Sequence, residues 1–251
     1  MAPGRAIDRY RAGLRALADP IDYLLERSGL PGPRGNLELA QAAAEEGDEA
    51  FFQRLAALTP ASAPTGSARE FLPVCGVLGL GRLAAEGRDD LLADLRRLAS
   101  DPRWRLREAV AMGLQRVGDA GMSRLLDEME RWSGGSFLEQ RAVAAALCEP
   151  RLLRREEDVR RVLAILDRIT GSLVSAPDRR DPAFRVLRQG LAYCWSVAVA
   201  AAPAIGMPVM ERWLASGDPD VRWLMRENLK KARLRRGAPE WVTAWRARIG
   251  G

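Results

Sequence analysis

A repeat about 34 residues long is the feature that most restricts the fold of this chain. The segment at 76–98, GVLGLGRLAAEGRDDLLADLRRL, aligns with the segment at 110–132, VAMGLQRVGDAGMSRLLDEMERW. In this alignment Gly79 falls on Gly113, and the segment RAVAAAL at 141–147 continues the pattern. A repeat of this length corresponds to one supersecondary unit, which buries its apolar face only by stacking against its neighbours.

Each repeat is predicted to be a pair of amphipathic helices. The apolar residues of 102–117 share one arc at roughly 100° per residue, and VGDAG at 117–121 separates this helix from a partner that runs to about Trp132. No segment sustains the alternation that is typical of a strand. We therefore predict an all-α solenoid of about six helix pairs. The pairs are placed at about 37–58, 68–99, 102–132, 136–174, 181–216 and 219–248.

The repeat pattern is weak before residue 60, and two segments rich in Pro, Gly and Ser interrupt that part of the chain. They are SGLPGPRGN at 28–36 and TPASAPTGSA at 59–68, which we predict to be loops. We therefore expect residues 1–66 to be an irregular helical region and residues 67–251 to form one continuous repeat domain.

An Asp-Pro pair opens the predicted helix in DPRWRLREAVAMGLQRVGD at 101–119, and another opens the predicted helix in DPDVR at 218–222. Asp101 is expected to be an N-cap, with Pro102 at the first helical position. Both segments resemble the first helix of a HEAT repeat, in particular the bilin-lyase-type variant. This resemblance implies a HEAT-like (armadillo-like) scaffold whose concave surface binds protein or nucleic acid. It implies no lyase activity, because nothing in the sequence marks a tetrapyrrole site.

The segment WRLREAVA at 104–111 also resembles the Trp-x-Arg-Arg-x-Ala segment of the DNA-alkylation-repeat glycosylases, which are HEAT-like as well. That resemblance implies that Trp104 and Arg107 lie beside a DNA lesion. The family's Trp-Trp-Asp-like motif, which supplies the catalytic carboxylate, is not found here. The alternative is structural: Trp104 packs between repeats, and Arg105 and Arg107 form inter-repeat ion pairs, each worth about 0–1 kcal/mol when exposed.

The composition restricts the chemistry that this chain can perform. It contains no histidine, which excludes Ser-His-Asp and Cys-His nucleophiles and most zinc and iron sites. Cys75, Cys148 and Cys194 are far apart in apolar surroundings, which favours buried, inert thiols in a reducing compartment. We expect no cofactor, no metal and no catalytic residues.

One uncharged segment, QGLAYCWSVAVAAAPAIGMPVM at 189–210, is long enough to cross a bilayer. Pro203, Gly206 and Pro208 interrupt it, so we predict a buried helix, a turn, and a second helix that begins near Met207. The N-terminus has no apolar core of signal-peptide length. We expect a cytoplasmic protein that is not embedded in a membrane.

Basic residues are concentrated at the C-terminus. Residues 216–251 carry nine basic and four acidic side chains, which is +5 of the total of +6. Between Val221 and Leu234 we predict one helix with a basic stripe beside its apolar face. Such a stripe can follow a phosphate backbone, whereas the structural alternative is a cationic helix end that complements its own dipole. The candidate residues for binding a partner or polyanion are Trp104, Arg107, Arg222, Trp223, Arg226, Lys230, Arg233 and Arg236.

The sequence therefore predicts a non-catalytic HEAT-repeat binding or scaffold protein that uses its concave face and its basic C-terminal helix. The alternative function is a DNA-binding or DNA-repair protein related to the alkylation-repeat glycosylases. The partner is either a protein or a nucleic acid, and the sequence does not decide between them.

Overall fold

The computed structural model describes residues 3–249. The described residues are 73% helical and contain no strand, which confirms the all-α class. It folds as two compact units, one ending at Ala120 and the other beginning at Gly121. The predicted division into an irregular region at 1–66 and a repeat domain at 67–251 stays a prediction.

The first unit is built around one helix that is buried on nearly all sides. This helix, α5 (Phe71–Ala85), carries no charged residue before Arg82. The helices α1, α3, α5 and α7 pack in series, and α4 and α6 also pack on α5. The other helices of this unit are α1 (Pro3–Arg15), α2 (Ile21–Glu26), α3 (Leu37–Glu46), α4 (Glu49–Ala56), α6 (Leu91–Leu98) and α7 (Trp104–Ala120), and a 3₁₀ turn, Ala68–Glu70, precedes α5.

The second unit has the same kind of packing. Its helices α9, α11 and α13 pack in series, and α10 packs on both α8 and α12. The buried Trp195 of α11 donates from Nε1 to Thr170 Oγ1 of α10 at 3.0 Å. The helices of this unit are α8 (Met122–Trp132), α9 (Phe137–Leu147), α10 (Glu156–Val174), α11 (Pro182–Ala201), α12 (Pro203–Leu214), α13 (Pro219–Leu229), α14 (Ala232–Gly237) and α15 (Pro239–Ile249).

The predicted helix pairs match the observed helices closely up to residue 216. Both predicted loops lie outside the α-helices, although the second ends where the 3₁₀ turn begins at Ala68. Within each unit, first helices of successive pairs stack on one another, as repeats do.

Three predicted boundaries are wrong. The helix α7 continues through Val117 to Ala120, so only Gly121 interrupts the chain before α8. The helix α12 begins at Pro203 rather than near Met207, because proline is well tolerated at the first helical position. The predicted pair at 219–248 is three helices, since α13 ends at Leu229 and α14 begins at Ala232.

Candidate binding sites

A groove of about 430 Å³ opens on the first unit. We call it the Trp104 groove. Its volume lies within the range of about 300–1,000 Å³ that is usual for ligand sites. The large apolar side chains that line it are Leu30, Leu37, Phe71, Val74, Trp104 and Met112.

Two of the groove's apolar side chains are unusually exposed. Trp104 and Leu37 each leave 48% of their surface accessible, and only five large apolar residues among those described are more than 40% exposed. Trp104 is the first residue of α7, and Leu37 is the first residue of α3. The expectation that Trp104 is wedged between repeats is therefore not met.

Charged side chains line the same groove. Arg34 and Glu38 are exposed, and neither has an ion pair or hydrogen bond within residues 3–249. Arg105 and Glu108 also line the groove, and both have intramolecular partners. The groove thus combines an apolar lining with both signs of charge.

Arg105 is held in place by a buried carboxylate of the preceding helix pair. Its NH1 atom lies 3.0 Å from Glu70 Oε2, and its guanidinium lies 4.4 Å from the Trp104 ring centroid. Glu70 is fully buried and also accepts a hydrogen bond from the Gly66 N–H at 2.7 Å. This contact is an inter-repeat ion pair of the predicted kind, but its acceptor is a glutamate that the sequence did not single out.

Asp101 does not cap α7 as predicted. Its carboxylate accepts from the Arg103 N–H at 2.8 Å and from the Arg103 guanidinium at 2.9 and 2.8 Å. Arg103 is only 2% exposed and also donates to the Ala63 carbonyl. The carboxylate binds Arg103 alone among these contacts, and α7 begins one residue later, at Trp104.

Arg107 lies outside the lining of the Trp104 groove. Its NH1 atom donates to the carbonyl oxygens of Asp101 and Pro102 at 2.7 and 3.0 Å. The groove therefore contains the tryptophan of the glycosylase-like segment without its arginine. Catalysis of the glycosylase type gains no support from this geometry.

The predicted C-terminal stripe does not lie on one helix, because α13 ends at Leu229. Three of its four residues bind within the chain. Arg226 Nε donates to the Ile249 carbonyl at 2.8 Å, and Lys230 pairs with Glu227. Arg233 donates to the Tyr193 hydroxyl and lies 4.5 Å from the Tyr193 ring centroid.

The remaining candidates divide into free cations and one stacked aromatic residue. The side chains of Arg222 and Arg236 have no ion pair or hydrogen bond to another described residue. Trp223 is partly buried, and the Arg188 guanidinium lies 4.4 Å from its ring centroid. Tyr193, which sequence reasoning missed, is 44% exposed. Its position inside the uncharged segment at 189–210 gave no signal of this exposure.

Comparison with protein families, with curated proteins and with solved structures finds no match to this chain. Of the helices between residues 3 and 249, none combines the length and apolar character needed to cross a bilayer. Across the same residues, no group of three or more His, Cys, Asp or Glu side chains could hold a metal ion.

Proposed function

We propose that this protein is a non-catalytic binding or scaffold protein, built from HEAT-like helix pairs, that holds an apolar segment of a protein partner in the Trp104 groove. The observation that carries the proposal is the exposure of Trp104 and Leu37 in one groove. Exposed apolar side chains that gather in a concavity favour binding, whereas the same side chains scattered singly are ordinary.

The energetics of the groove suit a modest but specific interaction. Covering the exposed half of one indole removes on the order of 100 Å² from water, which contributes roughly 2–3 kcal/mol. A partner that also covers Leu37 gains further burial. Aromatic side chains in the middle of an interface commonly dominate its binding energy.

The charges of the groove indicate what flanks the apolar anchor. Arg34 and Glu38 have no partner within the described residues, so each can pair with an opposite charge of a bound segment. We therefore expect a segment with one or two large apolar side chains and charged residues of both signs beside them.

Binding rather than catalysis is proposed because of the groups that the groove contains. Its lining is composed of apolar residues, glycine and four charged side chains, without a Ser, Thr or Cys among the described lining residues. A nucleophile activated by a neighbouring base, the usual basis of covalent catalysis, is therefore not assembled there.

The proposal is tested by selecting a phage-displayed library of short random peptides on the purified full chain. Selected peptides are then titrated against the Trp104→Ala variant and against Val174→Ala, which truncates a comparably exposed apolar residue (43%) in the other unit. We expect Trp104→Ala to weaken binding by at least about tenfold, corresponding to about 1.4 kcal/mol, and Val174→Ala to leave it unchanged. Peptides that bind both variants equally well would overturn the proposal, as would a library without binders.

A further inference from the structure

We infer that the cations of α13, α14 and α15 form a docking surface for the phosphate backbone of a nucleic acid. We call them the C-terminal basic cluster, and this inference is independent of the Trp104 groove. The cluster consists of Arg222, Arg226, Lys231, Arg233, Arg235, Arg236, Arg246 and Arg248.

The first argument is that this positive charge is uncompensated. Of the nine basic residues in α13–α15 and the turns that join them, only Lys230 pairs with a carboxylate among the described residues. In the rest of the chain most arginines have such a partner, as in the contact of Arg161 with Asp127 and Glu130.

The second argument concerns the acids of the same segment. Asp218 and Asp220, which in sequence appear to balance the cations, are engaged elsewhere. The NH2 atom of Arg179 lies 2.5 Å from Asp218 Oδ2, and both Arg179 and Arg188 form ion pairs with the Asp220 carboxylate. The negative charges of Asp218 and Asp220 are therefore neutralised by arginines from outside the cluster. The cations of α13, α14 and α15 keep their excess of positive charge.

The third argument is the exposure of three cations on α14 and α15. Arg235 and Arg236 lie on α14 and are exposed, as is Arg246 of α15, and none of the three side chains has an ion pair or hydrogen bond within residues 3–249. The three helices pack against one another. These guanidinium groups are thus available to phosphate oxygens, which arginine binds with two parallel hydrogen bonds.

The surroundings favour a nucleic acid over a lipid surface. The one large apolar side chain of α14, Leu234, is 2% exposed, so this helix has little apolar surface to insert into a bilayer. By contrast, Tyr193 is 44% exposed beside Arg233 and Lys231, whose charged groups lie 4.5 and 5.8 Å from its ring centroid. Aromatic rings beside cations are typical of surfaces that bind phosphates and stack on bases.

The test is fluorescence anisotropy with a fluorescein-labelled DNA duplex and the purified full chain, at about 50 and 200 mM salt. We expect binding at the lower salt concentration. If four phosphates are contacted, we expect affinity to fall on the order of 100-fold between the two salt concentrations, since each contact releases counterions.

Two variants with the same change in net charge locate the interaction. The first carries Arg235→Glu, Arg236→Glu and Arg246→Glu. The control carries Arg154→Glu, Arg180→Glu and Arg185→Glu, at exposed arginines outside the cluster. We expect the first variant to lose at least about tenfold in affinity and to show a shallower salt dependence, and the control to lose much less.

Three outcomes would overturn the inference: no binding to DNA at the lower salt concentration, equal losses in both variants, or binding to phosphatidylserine vesicles without binding to DNA. The Trp104→Ala variant is expected to bind DNA normally. Failure of the DNA test would therefore not affect the proposal that the Trp104 groove binds a peptide segment. Failure of the peptide test would likewise not affect the inference of nucleic-acid binding.

Discussion

Gly81 of α5 and Gly113 of α7 face each other so closely that a Cβ atom on Gly81 would lie 2.3 Å from the Gly113 Cα atom. The atom that such a Cβ meets belongs to a backbone, which cannot turn aside as a flexible side chain can. The two neighbouring first helices therefore approach as closely as they do only because both positions lack a side chain.

We expect Gly81→Ala to reduce the free energy of unfolding by about 1–3 kcal/mol, since the two helices must move apart to admit the methyl group. Urea unfolding followed by circular dichroism measures this change. The matched control is Gly217→Ala, at a glycine whose Cβ would meet nothing within 4 Å. A Gly81→Ala protein as stable as this control would show that α5 and α7 are not closely packed here.

The repeat alignment did not identify the contact between Gly81 and Gly113. It paired Gly79 with Gly113, and each of these glycines lies where its helix packs closely against an earlier helix, α4 for Gly79 and α5 for Gly113. A Cβ at Gly79, however, would meet the Phe52 ring of α4 at 2.2 Å, whereas Gly113 meets the backbone at Gly81. The period of a repeat identifies equivalent positions, but the side chain that fills the space opposite each of them is not periodic.

Arg105 and Glu70 form a pair whose loss is expected to be costly. Glu70 is fully buried and one of its oxygens, Oε1, has no hydrogen-bond partner. Arg105→Ala would leave its other oxygen with only the Gly66 N–H, and removing one partner of a buried pair typically costs about 3–5 kcal/mol.

Urea unfolding of Arg105→Ala measures this cost. The control is Arg97→Ala, which breaks an ion pair to Asp94 in which the Arg97 side chain is 67% exposed, and for which we expect at most about 1 kcal/mol. A double variant, Arg105→Met with Glu70→Gln, should recover part of the loss because it removes the buried charge together with its partner. Equal effects of Arg105→Ala and Arg97→Ala would contradict this account.

The Asp-Pro pairs at Asp101 and Asp218 share a sequence motif but not the same helix start. Asp218 caps α13 as the motif predicts, accepting from the N–H groups of Asp220 and Val221, with Pro219 at the first helical position. At Asp101 both the guanidinium and the backbone N–H that the carboxylate binds belong to Arg103, the residue after the proline. At Asp218 the guanidinium belongs to the distant Arg179, and the N–H groups belong to the first turn of α13.

Asp218 is expected to make the stability of the protein depend on pH in the acid range. Burial alone would raise the pKa of this carboxyl, but hydrogen bonds from Arg179 and from the Val221 N–H outweigh burial and lower its pKa. The unfolded chain, with an aspartate pKa of about 3.9, therefore takes up the proton first as the pH falls. The stability from Asp218 is present above about pH 4 and is lost as the pH falls through the lower pKa of the folded state.

This dependence is measured by urea unfolding between about pH 7 and pH 2.5, the range in which protonation of Asp218 is expected to reduce the free energy of unfolding. Asp218→Asn should be less stable than the natural protein at neutral pH, and the difference should shrink below about pH 4, since asparagine still caps the helix but carries no charge. The control is Asp22→Asn, at an exposed carboxylate without an ion pair among the described residues. A constant difference between Asp218→Asn and the natural protein at all pH values would contradict the prediction.

The candidate sites were only partly predictable, because exposure depends on how elements far apart in sequence pack. Trp104 was identified from its helix start, but Leu37, from a different pair, became its neighbour only through the packing of α3 and α5. The basic stripe was predicted from the spacing of Arg222, Arg226, Lys230 and Arg233, which assumes a continuous helix. The chain breaks after Leu229, and Arg233 contacts Tyr193 instead of continuing the stripe. Of the four stripe residues only Arg222 keeps a side chain that is free among the described residues, and the other free cations lie further along the chain, on α14 and α15.

The three cysteines are expected to be unreactive in the folded protein. Burial raises the pKa of the Cys75 thiol, and burial together with the neighbouring Cys194 thiol raises the pKa of Cys148. The Cys148 N–H and the Cys194 thiol both donate to the Ala144 carbonyl, at 3.1 and 3.4 Å, so the last turn of α9 holds two of the three cysteines in the core.

Because the thiolate is the reactive form, a protonated and buried thiol reacts only when the chain opens. Reaction with an aromatic disulfide reagent at mildly alkaline pH should therefore be slow in native protein and rapid for all three thiols in denaturant. Ser123→Cys, which places a thiol at an exposed position of α8, serves as the control and should add one fast-reacting group to the native protein. Fast native labelling of Cys148, identified by mass spectrometry of the peptides, would contradict the packing of α9 against α11.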